Sequence, residues 1–513
     1  MTSSLTIAFL ATCRMALCII ILCLISPEPV PAQSSDAGLQ ASLSTLSTER
    51  MLADIRTLSA PSFNGRLAGG EDDVRSARWV AQEFAAATLQ LPPIMNGSLI
   101  FPFVSGKHGT PLGVMASIIP TSTIQPDPDL RIGNADQMTT VTLGTDYLPV
   151  LDSPTANTQG RVIFVGYGIV DPAHGIDDYA GVDVTNRIVL FLRGKPDHYP
   201  KPVSHADKVR FARDRGALAY LTATGPILNP YEARRGVTGR PSAFYGQLPP
   251  DRAIPGAWIG TALAEQILSG SDNAKADRLH LLQEQLNKTP SSQSKETDRY
   301  VSLHWNTTIQ EGLLTNVVGL ISGTGPDAII IGAHRDHFGR PAGLLFPGAD
   351  DNASGTAVML EVARALMKSG LRPQRTILFV SFSGEERDLL GSRLYVTRPV
   401  VPLASTKAMI NIDHAGIGNG RLTVGVTGLE KTVAQQAGEP AGLASKLDVF
   451  GFFPGGDHVP FKEADVPTIT VVSGGIHPHY HQPTDTADTI SPDILMTTVR
   501  YVLSLAWQLA SEP

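Results

Sequence analysis

From Val301 onward the chain alternates short apolar runs with amphipathic ones, and this alternation restricts the fold more than any other feature. The apolar runs are TNVVGLIS, DAIIIGAH, RTILFVSF, KAMINID, RLTVGVTG and PTITVVSG, all of strand length. Between them lie GTAVMLEVARALMKSG, ERDLLGSRLYV, LEKTVAQQAG and PDILMTTVRYVLSLAWQLA, which have helical spacing. Strands alternating with helices predict an α/β domain, a mostly parallel sheet with helices on both faces. Such sheets bind ligands outside the carboxyl ends of their strands, so the chemistry is expected at that rim.

Four of the runs end in acid or histidine. His334 and Asp336 follow DAIIIGA, Glu385 and Glu386 follow RTILFVSFSG, Asp413 ends KAMINI, and PTITVVSGG runs into IHPHYHQPTD. Asp350 and Asp351 stand where a helix begins, at the end whose dipole favours a carboxylate. A single acid at a strand end is most often a cap or an ion-pair partner. Several sharing one sheet edge are a set of nitrogen and oxygen donors of the kind zinc accepts. Two such cations need a bridging carboxylate, about two further ligands each, and an unligated carboxylate to take a proton from water. The paired Glu385–Glu386 suits two roles. Asp336, two residues after His334 on an extended chain, falls on the same side and is placed to accept the second imidazole N–H.

The rest of the composition narrows the class. With 513 residues, two or three domains are expected. Hydrophobic residues make up 42% and charged residues 17%, enough for real cores, and a net charge of −7 without a basic block argues against a nucleic-acid partner. Arg14 followed by MALCIIILCLIS and then Pro-Val-Pro-Ala reads as a signal peptide over residues 1–32, cut after Ala32. An uncleaved membrane anchor is the rival reading. The three cysteines, Cys13, Cys18 and Cys23, all fall in this leader, so the mature chain has no disulfide and no thiolate ligand.

A Ser/Ala/Gln-rich linker is expected over 33–44, then two helices around GRLAGG, the first capped by Thr48 and the second striped by Ala77, Val80, Ala81 and Phe84. Residues 92–145 lack clear periodicity. RVIFVGYGIV, NRIVLFLRGKP, HADKVRFARDRGA, LAYLTAT and GAWIGTALAEQILSG predict a second, small α/β unit over 149–298, inserted between the 45–148 and 299–513 parts of the main domain. The polar span DNAKADRLHLLQEQLNK is expected at its surface. The sequons at Asn96, Asn287 and Asn306 matter only in a glycosylating host, and Asn352 is a chance sequon beside the expected metal donors.

GAHRDH, GADDNASG, SFSGEE, NIDHAG and YHQPTDT, in this order, resemble the motifs of the co-catalytic two-zinc aminopeptidase family, and the segment around RVIFVGYGI…DDYAGVDVTNRIVLFLRGKP resembles its inserted protease-associated domain. The resemblance implies a zinc-exopeptidase-like fold. It implies one zinc on His334, Asp351 and Asp413 and a second on Asp351, Glu386 and His481, with Asp351 bridging. Glu385 would be the general base and Asp336 the residue that orients His334. Asp350 is then a solvated or outer acceptor, and His481 is preferred over His477 and His479, with Asp485 as its support. His337, His414, Asp457 and His458 are read as pocket lining or hydrogen-bonded structure. Arg335 and His414 depart from the usual residues in ways that bear on the pocket, and Gly456 stands where the family has Ser.

The activity implied is that of an exported, periplasmic or secreted aminopeptidase acting on peptide or aminoacyl substrates, with a membrane association only if the leader is retained. A carboxypeptidase for acidic C-terminal residues and a non-catalytic binding ectodomain on the same scaffold are the rivals.

Overall fold

The computed structural model describes residues 35–90, 103–104, 111–228, 232–233, 236–249, 252–270 and 277–512. The leader over 1–32, its cysteines and Asn96 lie outside the described residues.

The main sheet is built on β1 (Pro111–Ile124), β2 (Thr307–Ile321), β3 (Ala328–His334), β4 (Thr376–Phe382), β5 (Thr406–Ile412), β6 (Leu422–Thr427) and β7 (Thr468–Ser473), with short edge strands Phe103–Val104 and Leu447–Phe450. Across the sheet the order is Phe103–Val104, β1, β2, β4, β3, β5, β7, β6, Leu447–Phe450. The centre, β4-β3-β5-β7, is parallel, as is the edge pair of β6 with Leu447–Phe450. On its flanks β1 pairs with β2, β2 with β4, and β6 with β7 in antiparallel fashion. β1 falls in the span that showed no periodicity.

Every residue of β3 is buried, as expected of a strand covered on both faces. Ile329, Ile331 and Ala333 enter one core with the helices α1 (Glu71–Ala86), α2 (Gly355–Ser369) and α3 (Pro492–Ser511). Ala328 and Ile330 enter the other, with Tyr395 and Phe461. Each buried isoleucine contributes about 1.5–3 kcal/mol, so the strand carrying His334 is a fixed platform. α1 buries the expected stripe of Ala77, Val80, Ala81 and Phe84.

Three local expectations differ. The Thr48–Leu58 helix is capped by Ser47, whose side chain accepts from Arg50 N while its backbone is extended (ψ 115°); Thr48 is already inside the helix. Ser35–Ser44, expected as linker, is a helix whose Leu39 and Leu43 reach the main core. Arg278–Lys288, expected at the surface, is an amphipathic helix with Leu279 and Leu286 buried.

A second sheet of eight strands runs, in spatial order, Met138–Thr140, Asp129–Gly133, Lys295–Trp305, Ala156–Phe164, Ile188–Leu192, Ala219–Ala223, Gly256–Ile259, Tyr147–Pro149. It has its own cores on its two faces. The unit thus draws strands from both sides of 149–298, and β1 and β2 leave it as a long antiparallel ribbon into the main sheet. Among the described residues no helix is long and apolar enough to cross a membrane.

Candidate metal centre

The four central parallel strands deliver the site. His334 is the last residue of β3, Glu385 and Glu386 follow β4, Asp413 follows β5, and His481 lies in the loop after β7. Asp351 comes from the turn Ala349–Ser354 that opens α2, and the Asp351–Asn352 peptide is cis.

That turn explains the sequence GADDNASGT. Gly348 has φ 58°, and a Cβ there would lie 2.4 Å from Asp351 O. Asn352 Oδ1 accepts from Gly355 N at 2.9 Å while its amide donates to Ile412 O at 2.9 Å. Ser354 Oγ donates to Asp350 O and accepts from Ala415 N. Thr356 Oγ1 donates to His334 O at 3.0 Å. The turn is therefore tied to β3 and to the end of β5, the strands bearing two other donors. Both ends of the fully buried Asn352 amide are in use, so its sequon is not an accessible acceptor.

Two donor groups share Asp351. His334 Nε2 stands 3.4 Å from Asp351 Oδ1 and 3.3 Å from Asp413 Oδ1. His481 Nε2 stands 3.2 Å from Asp351 Oδ2 and 3.4 Å from Glu386 Oε2. Donors at ~2.0–2.1 Å from a tetrahedral cation lie about 3.3–3.4 Å apart, whereas charge-assisted hydrogen bonds close to ~2.7–2.9 Å. The spacing fits cations between these donors, with one carboxylate oxygen of Asp351 turned to each group. A set of imidazoles and carboxylates without thiolate suits a zinc-like divalent ion.

The same ruler separates the neighbours. His337 Nδ1 is 2.7 Å from Glu386 Oε1, a direct hydrogen bond that leaves Oε2 facing His481. His477 Nδ1 is 2.6 Å from Asp350 Oδ2, to which His414 Nδ1 is also near at 3.2 Å, and Asp350 Oδ1 accepts from Gly416 N. Asp350 thus satisfies protein donors. His479 turns to Thr484 Oγ1, and His458 Nε2 to Phe453 O at 2.8 Å. His414 Nε2 faces the shared donors, 3.6 Å from Asp351 Oδ2 and 4.0 Å from Asp413 Oδ1.

Several outer contacts differ from what the sequence suggested. Asp336 presents its carbonyl to His334 Nδ1 at 3.3 Å, while its carboxylate is 3.7 Å away and accepts from Glu385 N. Asp485 does not touch the His481 ring. It accepts from Asp350 N and Asp351 N at 2.8 and 3.0 Å, because the turn's amides lie nearer than the imidazole. Arg335 does not line the pocket. It points into the core, donating to Asp73 Oδ1 at 2.8 Å and to Ser76, Thr315, Ser381 and Phe382.

One residue that carried no role in the sequence is Arg66 of GRLAGG. Fully buried, it donates to Leu58 O, Arg335 O, Pro347 O and Gly348 O and so clamps the turn that bears Asp351. Burial lowers its pKa to about 10, opposed by Asp336, Asp485 and Asp351; it stays charged. Only its place in a Gly-rich turn between two helices marked it.

Burial raises Glu385 well above the ordinary carboxylate range; His334 opposes this, and Asp413, Asp457 and Asp351 add to it. Glu386 is raised by burial and by Asp351 and Glu385. Burial also works against Asp351, but His414, His334, His481 and His337 outweigh it and hold that carboxylate well below its usual range. Glu385 belongs to neither donor group, which leaves its carboxyl free for proton transfer.

A sheet with a parallel centre, carrying a carboxylate-bridged pair of His/Asp/Glu donor groups at its strand ends, defines an α/β fold of the zinc-exopeptidase class. Residues 316–506 match the model for Peptidase family M28. Aminopeptidase YwaD of Bacillus subtilis (strain 168) is 32% identical over 181 residues, 33% of this chain and 38% of that protein. A probable leucine aminopeptidase of Arthroderma otae is 29% identical over 205 residues, 38% of this chain and 57% of that protein. The chain thus aligns with little more than half the length of these relatives at most. The solved aminopeptidase from Aneurinibacillus sp. strain AM-1 shares the fold with a TM-score of 0.61 at 22% identity, over 93% of this chain and 96% of that one.

Proposed function

We propose that the chain is a two-zinc exopeptidase that removes N-terminal residues from peptides. The observation that carries this reading is Asp351, with one carboxylate oxygen 3.4 Å from His334 and the other 3.2 Å from His481. One cation would be held by His334, Asp351 and Asp413, the other by His481, Asp351 and Glu386. A pair of zinc ions polarises a carbonyl and lowers the pKa of water.

The chain's own residues supply the rest. Glu385 takes the proton of the attacking water and returns it to the leaving amine, a task open to a carboxyl that belongs to neither donor group. Asp336 accepts from Glu385 N and fixes the turn that aims it. His337 holds Glu386 by its outer oxygen. The acid-rich rim favours a substrate's free α-amine, hence an exopeptidase.

The same reading takes the chain as exported, on Arg14 and the apolar run that follows it. The second unit is then a protease-associated module beside the site.

The test is a panel of aminoacyl amides and C-terminal glutamyl peptides, assayed with and without chelator. Hydrolysis of the N-terminal bond, abolished by chelation and restored by zinc, is the expected result. Cleavage confined to the glutamyl peptides would make the chain a carboxypeptidase, and inertness toward the whole panel would make it a binding protein.

A further inference from the structure

The two donor groups are supported from different parts of the chain. Behind His334 stand groups of the main sheet: the Asp336 carbonyl at Nδ1 and Thr356 on its own carbonyl. Behind His481 stands the second unit. His481 Nδ1 is 2.9 Å from Ala243 O, and Ala243 N donates to His481 O at 3.1 Å. A carbonyl only accepts, so this contact places the ring proton on Nδ1 and presents the Nε2 lone pair to Asp351 and Glu386.

The contact belongs to a built seam. Gln482 Nε2 donates to Pro241 O at 2.9 Å and to Ser242 Oγ at 2.7 Å. Gly236 runs so close to the site loop that a Cβ would come within 2.3 Å of His477 O. On the other side Asp152 accepts from Gly246 N and Gln247 N at 2.6 and 2.9 Å, and Leu151 N donates to Phe244 O. Ala243 is fully buried in a cluster that joins Leu148 and Leu151 of the second unit to Phe338 and Phe346 of the main domain. The Phe338 ring lies edge-on to His481, centroids 4.7 Å apart.

We infer that the 236–247 segment is a positioning element of the metal centre: through the Ala243 carbonyl, the second unit sets the hold on the ion at His481 and Glu386, and not on the ion at His334 and Asp413. The inference rests on the two-zinc reading. It makes the ions unequal by construction. One has all its donors supported within the main sheet, and the other has one donor, His481, supported from the segment. Loss of an outer partner of a ligating histidine weakens metal affinity by about 10–100-fold.

The test uses the full chain with Asp152→Ala and Gln482→Ala together, which removes the side-chain anchor on each side of the segment and keeps every donor. Gln482→Ala alone serves if the double variant does not fold, as judged by circular dichroism. Zinc content is measured by elemental analysis across a chelator series. The wild type is expected to keep two ions at a chelator level where the variant keeps one. In a Glu386→Ala background, where only the His334 group is complete, freeing the segment should leave metal content unchanged. In an Asp413→Ala background it should strip the remaining ion. A variant that keeps both ions at wild-type affinity, or sheds them equally, overturns the inference while leaving two-zinc chemistry intact. A wild type that never binds a second ion overturns the two-zinc reading and this inference with it.

Discussion

Asp485 lies beneath Asp351 and accepts its amide N–H at 3.0 Å through Oδ2, while Oδ1 accepts the Asp350 amide at 2.8 Å. The bridging carboxylate is therefore aimed by its own main chain, which two buried hydrogen bonds pin from below and the Arg66 guanidinium pins at Pro347 and Gly348. Asp485→Ala leaves both amides without a partner, at about 1–3 kcal/mol each. Asp485→Asn retains one acceptor oxygen and should fall between that variant and the wild type. Denaturant midpoints check the order. An Asp485→Ala chain as stable as the wild type would remove Asp485 from this role.

Glu385→Gln keeps the shape and takes away the proton carrier. Turnover is expected to fall by roughly 10²–10⁴-fold with zinc content unchanged, because Glu385 belongs to neither donor group. Steady-state kinetics beside elemental analysis separates the two effects. Full activity would rule out Glu385 as the base.

Asp351→Ala takes a donor from both groups at once and should lose both ions on dialysis, whereas Asp413→Ala and Glu386→Ala should each lose one. Bound ions stabilise the folded chain by mass action. Chelation of the wild type is therefore expected to lower its melting temperature, and chelation of Asp351→Ala to leave its own unchanged. Retention of both ions by Asp351→Ala would rule out the shared carboxylate.

Arg335 and Asp73 form a fully buried ion pair at 2.8 Å that ties the rim of β3 to α1. Arg335→Met strands the Asp73 carboxylate in the core, at about 3–5 kcal/mol. Adding Asp73→Asn should recover part of that loss by removing the unpaired charge. Urea unfolding of the two variants makes the comparison. Equal destabilisation would mean that the carbonyls Arg335 serves, rather than the charge, dominate.

Burial lowers Lys208 from its ordinary 10.5 to about 7, with Asp178 opposing the shift. Its Nζ donates to Leu192 O and Gly194 O. Between those pH values the unfolded chain binds a proton that the folded chain does not, so stability rises with pH across this window and falls as pH drops toward 7. Lys208→Met should flatten the rise in the second unit, as followed by thermal melts from pH 7 to about 10.

Much of this was legible in the residues. Runs such as AIIIGAH are buried on both faces and look it, and His334, Asp413 and Glu386 follow directly from the strands that carry them. Asp351 was chosen over Asp350 through the family resemblance alone, and in the structure Asn352, Ser354 and Gly355 each have a fixed task in the turn that follows it. The β1 ribbon was not: Pro, Ser and Thr interrupt its alternation, and its pairing with β2 lies far away in the chain. Asp485 was misdirected for a related reason. Four residues from His481, it was nearest to that ring in sequence, while the amides of Asp350 and Asp351 are nearest in space.

Read locally, the residues carry the strand and helix periods, the confinement of all three cysteines to the first 23 positions and the kinds of donor at the strand ends, because each of these is a property of side chains alone. Only the tertiary structure decided that one oxygen of Asp351 faces each donor group, that Arg335 turns into the core, and that a carbonyl of the second unit stands behind His481. A backbone carbonyl is the same at every position. Which one meets a given imidazole depends on how two sheets dock, a long-range arrangement that no stretch of chain carries alone.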